Sequence, residues 1–153
     1  MKRQRRILLP CPQTERRLRV SKSRRVDPVQ LKALFRAIGW TEDLARYSPQ
    51  RIKKFLRQSH VVLTAWNEKT LVGFASAVSD GVLCALVENL VVHPAYRRRG
   101  LGTRLLREMA RTLKRQHISC LYALGNRGKR ADRFFRRVGF HPLDWKIFVR
   151  LGR

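Results

Sequence analysis

The segment of residues 90–103 constrains the fold of this chain more than any other part of it. An apolar strand ends there, a proline-containing turn follows, and Gly100 and Gly102 then open an amphipathic helix that extends to about Gln116. Apolar side chains recur every four residues along this helix, so one of its faces must be buried. A buried strand that leads through a tight turn into such a helix is typical of an α/β domain.

The flanking patterns extend this domain in both directions. Asp27 and Ser48 each precede a proline and predict helix starts. Residues 83–92 are apolar except for Glu88 and Asn89, which predicts a central strand buried on both faces. The other strands are predicted at residues 18–20, 61–66, 71–78, 118–124 and 140–151. This order of strands and helices indicates a single α/β domain with a mixed sheet.

The chain is strongly basic, and its charge is concentrated in two regions. Its 153 residues carry 35 Lys and Arg against 10 Asp and Glu, a formal net charge of +25. Ten of these basic residues fall in residues 1–25 and fourteen in residues 94–137, with only three acidic residues in the two stretches together. Such a balance favours polyanions or phosphorylated ligands, although codon bias in a GC-rich genome explains the excess of Arg over Lys equally well.

The beginning of the chain differs in character from the rest. Residues 1–17 lack periodicity and carry like charges at high density, which is typical of a solvated segment. We therefore divide the chain into a basic, flexible N-terminal arm, residues 1–17, and one folded domain, residues 18–153. The arm is open to three interpretations: a flexible tail, a partly retained organelle-targeting segment, or an arm that contacts nucleic acid.

The composition argues against several classes of protein. No apolar run approaches the ~20 residues of a membrane span, and the three apolar residues after the basic start are far fewer than a secretory signal needs. Cys11, Cys84 and Cys120 are too scattered for a disulfide framework or a zinc site, so no metal ion is expected and a reducing compartment is favoured. Cys120 is expected in the core.

Gly100 and Gly102 also suggest a chemistry for the turn. Glycine lets backbone N–H groups approach an anion without a Cβ in the way, and a helix start adds unpaired donors and the positive end of the helix dipole. Arg97, Arg98 and Arg99 strengthen the same positive field. The glycine spacing differs from that of dinucleotide-binding and triphosphate-binding loops. From the glycines alone, phosphate binding and a merely tight corner are both open.

Two motifs taken together resemble the GNAT superfamily of N-acetyltransferases. The turn R-x-x-G-x-G at residues 97–102, after a strand ending in L-V-V-x-P-x-Y, resembles that superfamily's acyl-coenzyme A site. The A-x-x-F-F-x-x-x-G-F of residues 131–140 resembles its A-x-x-F-Y-x-x-x-G-F helix. The resemblance covers roughly residues 18–151 and is nearest to the cyanobacterial and plastid branch, which includes serotonin or aralkylamine N-acetyltransferases and protein acetyltransferases. It implies a GNAT-like mixed α/β (α+β) domain with a central sheet of six to seven strands, splayed at the cofactor site and flanked by about four helices.

The resemblance also implies where acetyl-coenzyme A would bind. Backbone groups of the turn would hold the pyrophosphate, and an asparagine beyond the next strand would add a further contact. The residues expected to bind the cofactor are Leu90, Val91, Val92, Arg97, Arg98, Arg99, Gly100, Leu101, Gly102, Thr103 and Asn126.

Two catalytic groups follow from the same resemblance. A backbone N–H of the splayed strand, at about Leu90, would stabilise the oxyanion, and a comparable donor contributes about 10²–10³ in rate in other enzymes. Glu88 would take the proton of the amine, directly or through water, with burial raising its pKa; a carboxylate paired with an arginine is the other interpretation. Phe135 stands where the family has a tyrosine that protonates the departing thiolate, which leaves this step to water, Tyr122 or Tyr96.

Two functions of different classes agree with these patterns. The first is an N-acetyltransferase that moves the acetyl group of acetyl-coenzyme A to a small amine or protein amine by direct attack through a tetrahedral intermediate, in the cytoplasm or plastid stroma. The second is a basic module that binds nucleic acid or a ribosome and uses a GNAT fold mainly for binding. We expect a monomer or homodimer without membrane contact.

Overall fold

Five strands form one sheet, in the order in which they occur along the chain, in the computed structural model, which describes residues 18–40, 47–124 and 129–144. The strands are β1 (Leu18–Lys22), β2 (Val61–Asn67), β3 (Thr70–Ser79), β4 (Cys84–Val92) and β5 (Cys120–Ala123). The helices are α1 (Pro28–Ala37), α2 (Pro49–Gln58), α3 (Leu101–Lys114) and α4 (Lys129–Arg137), and a 3₁₀ turn spans Pro94–Tyr96. Strands β1 to β4 are antiparallel, whereas β5 runs parallel to β4 because α3 carries the chain back between them.

The predicted mixed α/β fold with four helices is confirmed, but six to seven strands are not. The described residues contain five strands. The final strands predicted at residues 140–151 fall largely on residues 145–153, outside the described part, and residues 140–144 form no strand. The arm boundary between residues 17 and 18 also stays a prediction, because residues 1–17 lie outside the described part.

Local side-chain signals determine where the first two helices start. Asp27 accepts a hydrogen bond from the N–H of Val29 at 2.9 Å, and Pro28 is the first residue of α1. Ser48 does the same for α2, accepting from the N–H of Arg51 at 3.3 Å. Both side chains satisfy a donor that the helix cannot satisfy internally, so both predicted starts are confirmed.

The sheet separates two apolar cores. On one face α3 packs with Leu105 and Met109 against β2, β3 and the first half of β4. On the other face α1 and α2 bury Phe35 and Ile52 against β2 and β3. Within the described residues, no helix is both long and apolar enough to cross a membrane.

Gly73 allows α3 to lie close to the sheet. A Cβ atom at this position of β3 would lie 3.0 Å from the Cβ of Ala65 on β2 and 3.1 Å from Cδ1 of Leu105 on α3. All of these groups are within the buried core. The absence of a side chain at Gly73 therefore fixes the distance between α3 and the centre of the sheet.

We expect Gly73→Ala to lower the free energy of unfolding by about 1–3 kcal/mol, because an added methyl group overpacks a filled core. Urea denaturation followed by circular dichroism measures the change. Gly102→Ala is the control: its Cβ would meet the ring of Phe134 at an ordinary 3.6 Å, so stability stays unchanged or rises by up to about 1 kcal/mol. An unchanged urea midpoint in Gly73→Ala would contradict this view of the packing.

Candidate active site

The pairing of strands β4 and β5 ends partway along β4. Residues 84–87 of β4 pair with residues 120–123 of β5. From Glu88 to Val92, no described strand pairs with β4 on the β5 side. Within the described residues β4 therefore has no strand beside it on this side after Val87, and we call residues 88–92 with the space beside them the splay. Residues 125–128, which follow β5 along the chain, lie outside the described part.

The splay leaves backbone groups of β4 accessible. The N–H of His93 donates to the carbonyl of Val72 on β3 at 2.9 Å, and Leu90 and Val92 lie opposite Ala75 and Gly73. Because backbone groups alternate in direction along a strand, the N–H and C=O groups of Leu90 and Val92 point away from β3. They face the gap that β5 has left.

Glu88 is an extra residue in β4. Ser76 of β3 lies opposite Asn89, but the next residue, Ala77, lies opposite Val87, so that the register shifts by one residue at Glu88, as in a β-bulge. Asn89 stabilises the bulge, because its Nδ2 donates to the hydroxyl of the buried Ser76 at 2.9 Å.

The bulge changes which face of the sheet the β4 side chains reach. Val87 packs in the core under α3, whereas Val91, four residues later, packs in the core under α1 and α2. The prediction that β4 is buried on both faces is wrong, because buried and less buried residues alternate along it. The prediction that Glu88 is buried is also wrong: the bulge places its side chain in solvent.

The turn after β4 is held by side chains that contact the end of the strand. The ring Nδ1 of His93 accepts from the N–H of Ala95 at 3.3 Å and caps the 3₁₀ turn. The Nε of Arg97 donates to the carbonyl of Val92 at 3.1 Å, on the side that β5 has left. The hydroxyl of Tyr96 accepts from Asn67 at 2.8 Å, which ties the turn to the β2–β3 hairpin.

The start of α3 presents unpaired backbone donors. Gly100 has φ +74° and no atom within 4 Å of where its Cβ would be, and Arg98 has φ +63°, a left-handed conformation that is uncommon for a residue with a side chain. Arg104 is the first residue whose N–H bonds within the helix, to the carbonyl of Gly100 at 2.9 Å. No side chain caps α3, so the N–H groups of Leu101 and Thr103, like that of Gly102 between them, are available to an anion.

Helix α4 packs beside this turn. The Phe134 ring lies 3.6 Å from where a Cβ of Gly102 would be, so α4 contacts the first turn of α3. The ring of Phe135, at the position where the family has tyrosine, is half-buried and packs edge-on against Phe134 and Phe140. It fills space next to the core and has no proton to donate.

Strand β5 places its tyrosine next to two cysteines. Tyr122 is opposite Leu86 in the register, and a hydrogen bond with the Cys120 side chain raises its pKa, with smaller contributions from charge on Cys120, burial and Cys84. Cys120 lies opposite Cys84 and is exposed, so the prediction that it lies in the core is wrong: β5 begins at this residue, at the rim of the sheet.

The predicted site residues thus divide into three groups. Glu88 and residues 90–92 lie along the splay, and residues 97–103 form the turn and the start of α3. Asn126 lies outside the described residues. The described part of the chain contains no group of three or more His, Cys, Asp or Glu residues that could hold a metal ion.

Sequence comparison identifies the class of protein that has this site. Residues 29–140 match the acetyltransferase (GNAT) family, and the chain therefore belongs to that family. An uncharacterized N-acetyltransferase, ycf52-like, from Prochlorococcus marinus is 31% identical over 102 residues, which cover 64% of this chain and 54% of that protein. The chloroplastic GCN5-related N-acetyltransferase 1 of Arabidopsis thaliana is 32% identical over 130 residues, which cover 81% of this chain and 63% of that protein. The chain therefore spans between half and two thirds of the length of these relatives.

Comparison of structures confirms the fold independently. A GNAT family acetyltransferase from Streptococcus pneumoniae superimposes with a TM-score of 0.74 at 23% identity, covering 89% of this chain and 98% of that one. At this level of identity the similarity shows the fold, so the chemistry of the site has to be argued from its own residues.

Sequence reasoning missed three features of the site. They are the register shift at Glu88, which depends on the residues of β3 that lie opposite, the contact of Arg97 with the Val92 carbonyl, and the capping role of His93. Only the His-Pro pair at residues 93–94 offered a local signal, since a side-chain acceptor before proline is typical of a helix start.

The turn should become less stable in acid. The pKa of His93 lies below its ordinary value, because burial disfavours the imidazolium and the Arg97 guanidinium repels it. The folded state therefore binds fewer protons than the unfolded state. The contribution of His93 to stability is complete above its unfolded pKa, near 6.5, and decreases as the pH falls below it.

His93→Asn tests this expectation, because asparagine can cap the turn without titrating. We expect the melting temperature to fall less between about pH 7.5 and pH 5.5 in His93→Asn than in the original chain. His141→Asn, at an exposed position, serves as the control and should keep the original pH dependence. An unaltered pH dependence in His93→Asn would contradict the expectation.

Proposed function

We propose that this protein is an N-acetyltransferase that moves the acetyl group of acetyl-coenzyme A to a primary amine. One observation carries the proposal: the edge of β4 from Glu88 to Val92, which no described strand pairs on the β5 side, leads directly into a turn whose helix has unpaired N–H groups. An extended amide chain can pair with such an edge, and a pyrophosphate can bind at such a helix start. Coenzyme A contains both groups in one molecule.

The turn is suited to the pyrophosphate. The N–H groups at the start of α3, from Leu101 to Thr103, supply donors, and the space beside Gly100 is open. Arg98 and Arg99 add positive charge, with the guanidinium of Arg99 held 5.7 Å above the ring of Tyr96. Arg97 differs from Arg98 and Arg99, because its side chain donates to the carbonyl of Val92 at the end of β4.

The splay supplies the groups for the transfer itself. In direct transfer, the amine attacks the thioester carbonyl, negative charge develops on the carbonyl oxygen, and the thiolate leaves. The Leu90 N–H points into the gap and would donate to that oxygen. Glu88 lies two residues earlier, at the bulge, where its solvent-exposed carboxylate would accept the amine proton directly or through a water molecule.

Water is the proposed proton donor to the thiolate. Phe135 has no acidic proton, and the Tyr96 hydroxyl is engaged with Asn67 at the hairpin. The hydroxyl of Tyr122 bonds with Cys120, which lies toward the start of β5 and away from the open end of the splay. A free thiol has a pKa of about 8.5, so the thiolate leaves readily and can take a proton from water without a strong acid.

The acceptor is most compatible with an amine of low charge. A protein with a net charge of +25 repels polyamines and basic peptides, whereas a small monoamine or a single protein amine is penalised less. The chloroplastic relative supports a plastid stroma or a bacterial-type cytoplasm as the compartment. Family membership supports the transferase, and it gives no support to a module used for binding alone.

Acetyl-coenzyme A binding tests the proposed cofactor site. Isothermal titration should show binding by the full chain, and Gly100→Asp should abolish it, because the new carboxylate repels phosphate and strains a left-handed position. Gly39→Asp is a matched control: Gly39 also has positive φ, +86°, and open space around it, but it ends α1. A chain that binds no acetyl-coenzyme A at millimolar concentration would refute the proposal.

Glu88→Gln tests the proton acceptor. With an acceptor amine found by screening for released coenzyme A thiol, we expect kcat to fall about 10²–10³-fold, while the KM for acetyl-coenzyme A stays unchanged. Asp132→Asn, an exposed carboxylate on α4, should leave kcat as it is. An unchanged kcat in Glu88→Gln would show that another group takes the proton.

A further inference from the structure

A basic groove runs between β1 and α3, separate from the turn that faces the splay. Its volume is about 340 Å³. Lys22 of β1 and Arg104, Arg107 and Arg111 of α3 line it, and Glu108 is the one acidic residue that the structure describes in its lining. Glu108 is paired with Arg111 at 3.2 Å, whereas Lys22 and Arg107 have no carboxylate partner in the described part of the chain.

The basic side chains form a regular row on a rigid support. Exposed basic residues recur along α3 with alternating spacings of three and four, which places them on one side of the helix. They are Arg104, Arg107, Arg111 and Lys114. The row extends about 15 Å along the helix axis, and the opposite side of α3 is fixed by the core through Leu105 and Met109.

The groove also connects the two basic regions of the sequence. Nη2 of Arg104 donates to the carbonyl of Leu18 at 3.4 Å, so the chain enters β1 beside the row on α3. Residues 1–17, which precede this point, contain six Lys and Arg and one acidic residue. Their charge has the same sign as that of the groove, which argues against the arm as the occupant of the groove and favours an external polyanion.

We propose that this surface binds the phosphodiester backbone of double-stranded nucleic acid without reading its sequence. A row of guanidinium groups at fixed intervals suits a periodic array of phosphates, which arginine can contact with two hydrogen bonds. The lining contributed by β1 is Val20, Ser21 and Lys22, without an aromatic ring on which the bases of a single strand could stack.

An acidic protein is a poorer match for the same groove. Protein interfaces have an apolar, often aromatic centre surrounded by polar groups. Among the described residues that line this groove, Val20 is the sole apolar one, and the others are charged or hydroxylated. The groove therefore carries positive charge but lacks the apolar surface that would give a protein partner its affinity.

Binding here is independent of the proposed transfer reaction. The cofactor turn uses backbone groups of residues 98–103 at the start of α3, whereas the groove uses side chains along the length of the helix. The protein would therefore hold duplex nucleic acid while its acetyl-coenzyme A site stays accessible.

The experiment measures binding of the full chain to a labelled RNA duplex of about two helical turns by fluorescence anisotropy, over a series of salt concentrations. We expect a steep decrease of log affinity with log salt concentration. Arg107→Gln with Arg111→Gln should weaken binding about tenfold or more and reduce the salt slope by about two, one for each lost phosphate contact. Acetyl-coenzyme A binding, measured in parallel by titration calorimetry, should not change.

Lys53→Gln with Arg57→Gln is the matched control. It removes the same charge from exposed positions on α2, and it should keep at least most of the affinity and the original slope. Equal losses in the two double variants would overturn the proposal, because they would reflect net charge rather than this surface. Single-stranded RNA and poly-L-glutamate of the same charge are measured in the same way. The proposal would also be overturned if either of them bound as tightly as the duplex and lost affinity equally when Arg107 and Arg111 are replaced. Circular dichroism confirms that each variant is folded.

Discussion

The separation of β4 from β5 after Val87 is the constraint on which the rest of the site depends. An unpaired strand edge exposes hydrogen-bonding groups that must find partners in water, in the protein or in a ligand. Within the described residues, the chain itself provides the contact of Arg97 with the Val92 carbonyl. The N–H of Leu90 is left facing the gap, which is why this edge can bind an extended ligand and stabilise charge within the same few residues.

The register shift at Glu88 makes the separation compatible with two filled cores. In a regular strand without the bulge, Val91 would lie four residues after Val87 and point to the same face, toward α3. With it, Val91 fills the core under α1 and α2, and Leu90 and Val92 contact the α3 side. One inserted residue therefore anchors the end of the strand and at the same time puts a carboxylate in solvent beside the gap.

The sequence predicted those parts of the structure that local chemistry determines. Asp27 and Ser48 cap helices because their side chains reach donors two or three residues away, and α3 begins directly after Gly100, where the glycines predicted a helix start. The bulge, the exposure of Glu88 and the exposure of Cys120 could not be derived in this way. They depend on which residues of β3 and β5 lie opposite, and strand register is a property of the assembled sheet.

Helix α3 carries both of the proposed anion sites, the cofactor turn at its start and the basic groove along its length. At the first turn of α3 the donors are backbone N–H groups, which suit a compact phosphate group. Their position is set by the close approach of α3 to the sheet at Gly73. Along its length the donors are long side chains, which tolerate a ligand that extends past them. The charge of Arg107 lies about one and a half helical turns from the start of α3. Salt therefore weakens the interaction of Arg107 with an anion at the cofactor turn more than its interaction with a ligand in the groove. The same helix can thus combine a site that depends on geometry with a surface that depends on charge.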